Sequence, residues 1–319
     1  MVSFVVKSEE SGQTLEKYLR KVLPEAPLSF VYKLFRKKDV KVNGHWQTNK
    51  YIINSSDVIN VYITDIQLEE FKRKYQTTNL TNITNWIIYE DKNVLLVNKP
   101  RGVLVQKDTT DSLALDDMVL SYLINKGEFD PNKDLAYKPA PTHRLDRNTA
   151  GIVMFGKNIE TLRYLSTVMN DKEKIQKHYL TLVKGMLDKD GIIEAPLKKN
   201  SKTSLVMVDE EGKPSITKYT VIRSIGNYTL LDVQLLTGRT HQIRVHMQHI
   251  NHPIIGDNKY GDFALNREIE QKYGFKNQFL IAYQLDLKKL DNPLQYLSGK
   301  SFTVDLCVEM QDLLDKLAN

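Results

Sequence analysis

His143-Arg144-Leu145-Asp146-Arg147 sets one carboxylate between two guanidinium groups. Asn148-Thr149-Ala150-Gly151 then leads into the apolar run Ile152-Val153-Met154-Phe155. Asp146 is read on a polar turn that opens into a buried strand, the way a rigid scaffold presents a charged loop residue. Flanking cations hold such a carboxylate ionised and ready to act at a cleft. An isolated Arg-Asp-Arg turn is usually a solvated surface feature, so the assignment depends on its company.

Two further segments share that polar, arginine-rich character. Lys177-His178-Tyr179 opens a strand over Tyr179–Val183. Thr237-Gly238-Arg239-Thr240-His241-Gln242-Ile243-Arg244-Val245-His246 ends a strand at Gly238 and begins a helix that Thr240 is expected to cap. Ile243, Met247 and Ile250 form the core face of that helix, and His241, Arg244 and Gln248 fall on another. Its free N–H groups, with Arg239 beside them, are expected to hold an anion. Taken singly, Arg244 reads as a surface ion pair and Tyr179 as a packed strand residue.

The elements that must position these groups divide the 319 residues into about two domains. Residues 1–65 read as a small unit. Leu15, Tyr18, Leu19, Val22 and Leu23 mark an amphipathic helix that Pro24 ends. A second helix runs from about Ser29, with Val31, Leu34 and Phe35 on its apolar side and Lys33, Arg36 and Lys37 on the other. With Lys38 and Lys41 these make five cations within nine residues against one acid, Asp39, which favours phosphate binding. Val40-Lys41-Val42 reads as a strand turning at Asn43-Gly44, and Val58–Ile63 as another. Residues 66–84 read as a polar linker. A second domain over 85–319 holds strands near 87–89, 94–97, 151–155, 179–183, 217–223 and 228–236, and helices near 113–126, 159–170, 240–250 and 308–317. Strands outnumber helices without regular alternation, so the fold class is α+β with a mixed, largely antiparallel sheet.

Hydrophobic content of 41% and charged content of 26% are those of an ordinary soluble chain. No apolar run nears the ~18 residues of a membrane span, and Met1–Lys7 lacks a signal-peptide pattern. Cys307 stands alone, which suits a reducing cytoplasm. The net charge of +6 leans towards a polyanionic partner.

The N-terminal order of helices, basic face and hairpin resembles an S4 RNA-binding domain, which implies RNA contacts by Lys33, Arg36 and Lys37. The chemistry-bearing segments resemble the RluA-type pseudouridine synthases. His143–Arg147 with Gly151 matches the motif around the family's catalytic aspartate, and Lys99-Pro100-Arg101-Gly102 its Lys-Pro-x-Gly turn. Tyr179-Leu180 falls where its active-site tyrosine lies. Gly238–His246 with His252-Pro253-Ile254-Ile255-Gly256-Asp257 matches its third block. Asn148 stands where an acid is usual, and Ala150 where a small hydroxyl residue is usual.

The resemblance implies isomerisation of uridine in RNA without cofactor or metal. Asp146 takes the carboxylate's part, either abstracting the ribose 2′ proton or attacking C1′, and the sequence does not choose between them. Arg244 is the implied cationic partner, of the kind that lowers a carboxylate pKa by roughly 1–3 units. The target base must leave its stack. Arg144 is implied to fill the vacated space, and Tyr179 to stack on the base and to help remove the C5 proton, a second role for which a phenol with pKa near 10 is a poor base at neutral pH. The S4-like unit implies large-subunit ribosomal RNA as substrate, in an RluC-like or RluD-like branch, with transfer RNA as the alternative and a monomer as the expected state. A non-catalytic RNA-binding or ribosome-assembly protein is the rival from another class. Kinase and P-loop readings fail on motif order and on Leu294, where a P-loop needs glycine. Four histidines between 241 and 252 lack a zinc-ligand pattern.

Overall fold

Apolar residues at helical spacing produce the two N-terminal helices where the sequence predicts them. In the computed structural model, which describes residues 1–72, 82–107, 113–131, 133, 134, 137–200, 203 and 205–318, strand β1 (Val2–Val5) precedes helix α1 (Leu15–Val22). Thr14 caps α1 by accepting from the Lys17 amide, and Leu15, Tyr18, Leu19 and Val22 are buried. Helix α2 (Leu28–Arg36) buries Val31, Leu34 and Phe35 and leaves Lys33, Arg36 and Lys37 exposed. Strands β2 (Val40–Val42), β3 (His45–Trp46) and β4 (Val58–Val61) complete an antiparallel sheet in the order β1-β4-β2-β3. Asn43 and Gly44 both take positive φ at the β2–β3 turn, as the hairpin reading requires. Helix α3 (Asp65–Phe71), closed by a Thr64–Gln67 capping box, occupies the start of the stretch read as a linker. Residues 73–81 of that stretch lie outside the described residues.

Next in the chain come β5 (Ile87–Glu90), β6 (Val94–Lys99), α4 (Leu115–Asn125), β7 (Ala140–Pro141), β8 (Ala150–Gly156), α5 (Ile159–Val168) and β9 (Ile175–Lys184). They are followed by β10 (Gly191–Glu194), β11 (Leu197–Lys199), β12 (Val206–Val208), β13 (Ile216–Ile225), β14 (Tyr228–Leu235) and α6 (Gln242–His249). Helix α7 (Phe263–Tyr273), β15 (Leu280–Leu287), β16 (Ser301–Thr303) and α8 (Val308–Ala318) close the chain. Two compact units result, Met1–Ile83 with Met118–Ala140 and Lys157–Arg163, and Thr84–Asp117 with Pro141–Gly156 and Tyr164–Asn319. No helix among the described residues is long and apolar enough to cross a membrane.

The large sheet runs β10-β13-β14-β9-β15-β8-β6-β5, with β16 on β15 and β7 on β8. Only β15 and β8 run parallel along that order; the other neighbours are antiparallel. This is the mixed, largely antiparallel α+β fold that the sequence predicts. Strand β8 is buried at all seven positions, the outcome of its unbroken apolar run. Strand β15, absent from the sequence reading, sits between β8 and β9. Leu285 and Leu287 alternate there with Gln284 and Asp286, a period-two pattern that marks a strand.

Gly151 is fixed by the backbone. Its φ is +113°, and a Cβ there would lie 2.2 Å from the Ala282 carbonyl oxygen on β15. Neither the dihedral nor the space admits a side chain, so Gly151→Ala is expected to cost about 3 kcal/mol or more. Urea denaturation measures it, and a loss under ~1 kcal/mol would show that the two strands can part cheaply.

Candidate active site

The loop between β7 and β8 carries Asp146, and two sets of bonds hold it. Thr149 donates its amide to the Asp146 carbonyl at 3.1 Å, and buried Gln278 donates to the Thr149 hydroxyl at 2.7 Å. On the other side stands Lys99, fully buried at the end of β6. Its Nζ donates to the carbonyls of Pro100 (2.9 Å), Val103 (2.8 Å) and Arg147 (3.1 Å), while the Gly102 amide also reaches Arg147 (2.9 Å). The Lys-Pro-x-Gly turn is thereby tied to the residue after Asp146. Burial pushes the Lys99 ammonium down to about 7, with the Asp146 charge pulling the other way. Ala150, the departure from the family's hydroxyl residue, is buried in an apolar cluster with Leu182, Ile255 and Ile281.

Helix α6 brings in the guanidinium. Arg244 donates Nε to Asp257 Oδ2 at 2.7 Å and Nη2 to Asp257 Oδ1 at 2.8 Å, a bidentate fork. Asp257 also accepts from the Lys259 and Tyr260 amides, at 2.8 and 3.0 Å. The remaining nitrogen, Nη1, faces Asp146 Oδ2 at 3.1 Å. Burial alone would raise the Asp257 carboxyl, but the Arg244 guanidinium and the two amides hold it below the usual carboxylate range. The guanidinium lies 5.0 Å from the Tyr260 ring centroid, a cation–π contact that adds a wall. Arg244 is thus a buried, oriented cation rather than a surface ion pair.

Tyr179 on β9 pairs with Val233 on one side and Ala282 on the other. It is buried, and desolvation followed by the Asp146 charge drives its phenol well above the ordinary value. Its hydroxyl therefore keeps its proton at neutral pH. His241 Nδ1 meets the Tyr260 hydroxyl at 2.8 Å, and its Nε2 stands 3.8 Å from Asp146 Oδ2. Burial lowers the His241 pKa, with the Asp146 charge pulling the other way. Asp146, Tyr179, Arg244, Arg144, Arg239 and His241 line one cavity. Lys33, Arg36 and Lys37 belong to α2 in the other unit and do not contribute to it.

One detail is corrected. Thr240 does not cap α6. The helix starts at Gln242, with His241 in the left-handed region as its N-cap and no side-chain cap bond. Gln242 takes over that organising work, accepting from Thr237 Oγ1 (2.9 Å) and the Arg239 amide (3.0 Å) and donating to Ile216 O and Thr217 Oγ1 (3.0 Å each). His246 bonds Thr217 Oγ1 and Ala195 O, and His252 bonds Lys184 O, so these two histidines are spent on structure. Sequence reasoning gave no role to Lys99, Gln242, Asp257, Tyr260 or Gln278. Three lie inside recognised motifs; Tyr260 and Gln278 follow them and show their roles only in three dimensions.

A family model described as RNA pseudouridylate synthase matches residues 93–249. Ribosomal large subunit pseudouridine synthase C of Vibrio cholerae is 33% identical over 88% of this chain and 87% of its own length. The chain belongs to the RluA-type RNA pseudouridine synthases. An uncharacterised RNA pseudouridine synthase of Mycoplasma capricolum is 31% identical over 94% of this chain and 96% of that protein. Among solved structures, human RNA pseudouridylate synthase domain containing 4 shares the fold, with a TM-score of 0.58 at 21% identity over 74% of this chain and 94% of that one. This pseudouridine synthase is an isomerase that breaks the N1–C1′ bond of uridine and joins C5 to C1′.

Proposed function

We propose that this synthase modifies specific uridines in large-subunit (23S) ribosomal RNA, with Asp146 acting on the ribose. One observation carries the site assignment. Arg244, locked on Asp257, engages Asp146 Oδ2, while no hydrogen bond to Asp146 Oδ1 comes from the described residues. One carboxylate oxygen is oriented and the other is available to the sugar. Attack at C1′ and removal of the 2′ proton both use that oxygen. Tyr179, holding its proton, serves as a stacking surface for the extruded base. Arg144 is exposed on the loop beside Asp146 and is placed to fill the gap that the base leaves. Arg239 and His241 border the same cavity and contact the substrate strand.

The ribosomal substrate is supported by the names of the relatives and by the basic N-terminal unit. Residues 1–65 act as the S4-like RNA-binding domain and 85–319 as the catalytic domain. Lys33, Arg36 and Lys37 stand exposed along α2, and exposed Trp46 and Tyr62 lie beneath Lys38 and Lys41 at 5.4 and 5.2 Å. Cations interleaved with aromatics suit a nucleic-acid strand. Changing Lys33, Arg36 and Lys37 together to Ala is expected to reduce the slope of log Kd against log salt by about 2, at ~0.7–0.9 per phosphate contact. Chemistry on bound RNA is unaffected. An unchanged slope in filter binding removes α2 from the RNA interface. The enzyme works as a cytoplasmic monomer, as lone Cys307 suits a reducing compartment, and sedimentation checks its mass.

Mapping pseudouridines in cells lacking the gene tests the substrate. Loss of one or more large-subunit sites, restored by the gene, is expected. Loss confined to transfer RNA would overturn the ribosomal assignment, and no loss in any RNA would favour a binding protein.

A further inference from the structure

Strand alternation puts Lys177 on the same face of β9 as Tyr179, two residues along. His178 pairs with Gln234, so the residue next to that pair on β14 is Leu235, which lines the active-site cavity. Lys177 is half-buried there, and among the described residues no carboxylate or carbonyl accepts from its Nζ. Its charged neighbour is Lys172, also half-buried, whose nearby acid is exposed Asp171. The charges of both lysines are felt at His143, the residue before Arg144.

His143 completes an unusual set. Its Nε2 accepts from the Met154 amide at 3.2 Å, so the proton of the neutral ring sits on Nδ1. That Nδ1 is buried and has no partner among the described residues. A covered donor without an acceptor is costly, and such groups are rare in folded proteins. Two ammonium groups and one imidazole N–H are therefore neighbours beside the catalytic loop, and the acid next to them is exposed Asp171. We infer that Lys177, Lys172 and His143 form a binding site for a phosphodiester group of the RNA strand that flanks the extruded uridine.

The electrostatics agree with that placement. Burial, then the charge of Lys172, pushes Lys177 down to about 7, and burial followed by the two lysines holds His143 well below its ordinary value. A phosphate drawn between the lysines relieves their mutual repulsion, restores full charge to Lys177 and brings an acceptor to the neglected Nδ1–H. Bound there, it fixes the strand next to Arg144 and Tyr179. Lys177 is thus a positioning residue, remote from the bonds that change.

The bearer of the phosphate rests on the pseudouridine synthase reading, so two arms are needed. Inorganic phosphate is titrated into the full-length protein at constant ionic strength, with the His143 ring followed by NMR and assigned with His143→Gln. A saturable shift is expected, weakened at least tenfold in Lys177→Gln and retained in Lys177→Arg, about the worth of one charge-assisted contact. In the second arm, release of tritium from RNA labelled at uridine C5 is timed. Lys177→Gln is expected to raise KM about tenfold with kcat within about threefold, and Lys177→Arg to restore KM. No saturable shift, or the same shift in Lys177→Gln, overturns the anion site. So does a fall in kcat at constant KM. If the unaltered protein releases no tritium, the enzymatic reading fails while the phosphate arm still decides the site.

Discussion

Arg244→Met is expected to destabilise the protein by about 3–5 kcal/mol and to lower kcat by roughly 10²–10³. The stability loss arises at Asp257. Its side chain is only 1% exposed, and the guanidinium supplies two of the four hydrogen bonds that it accepts. Without Arg244 a carboxylate remains buried beside two amides alone. The kinetic loss arises at Asp146, which loses the donor at Nη1 that orients Oδ2. Arg244→Lys is expected to recover little of either, since an ammonium cannot make the fork.

The same pair gives a pH dependence whose sign is fixed. The Asp257 carboxyl is lower in the folded protein than in the unfolded chain, so its contribution is complete above about pH 4, the unfolded value. The contribution is lost as pH falls through the depressed folded value. In Arg244→Met burial is no longer offset by the guanidinium, so the folded Asp257 value rises and this group's share of the acid-side loss shrinks. Urea denaturation between pH 3 and 7 measures both effects. A change under ~1 kcal/mol with an unshifted acid limb would mean that Asp257 finds another partner.

Much of this site was legible in the sequence because its residues sit in short motifs with fixed local geometry. A polar turn before an apolar run put Asp146 at the mouth of a buried strand, and β8 is that strand. Six of the residues singled out line one cavity although they come from segments up to 100 positions apart. What the sequence withheld was mostly long-range. The Lys99 ammonium bonds a carbonyl 48 residues on, and Gln278 reaches Thr149 across 129. No local periodicity encodes such bonds. Thr240 misled for a different reason. Cap preference favours threonine, but the Gln242 side chain already holds the Thr237 hydroxyl and the Arg239 amide, and the helix begins two residues later. Strand β15 was passed over because Tyr283, extra in the register against β9, interrupts its alternation.

Asp146→Asn carries the largest expected kinetic effect. The change keeps the shape of the side chain and removes the charge that acts on the sugar. The amide can still face Arg244 only through its oxygen, and its nitrogen is neither a nucleophile nor a base. A loss of about 10⁴ or more in kcat is expected, at least ~5.5 kcal/mol of transition-state stabilisation. RNA affinity is expected to stay within about twofold, because the exposed cations Arg144, Lys33, Arg36 and Lys37 are untouched. The most direct measurement is tritium release from ribosomal RNA labelled at uridine C5, with the unaltered enzyme and Asp146→Asn compared at saturating protein. Release by the unaltered enzyme with none above background from Asp146→Asn is the predicted result. Comparable release from both would contradict the assignment of Asp146 as the residue that acts on the ribose.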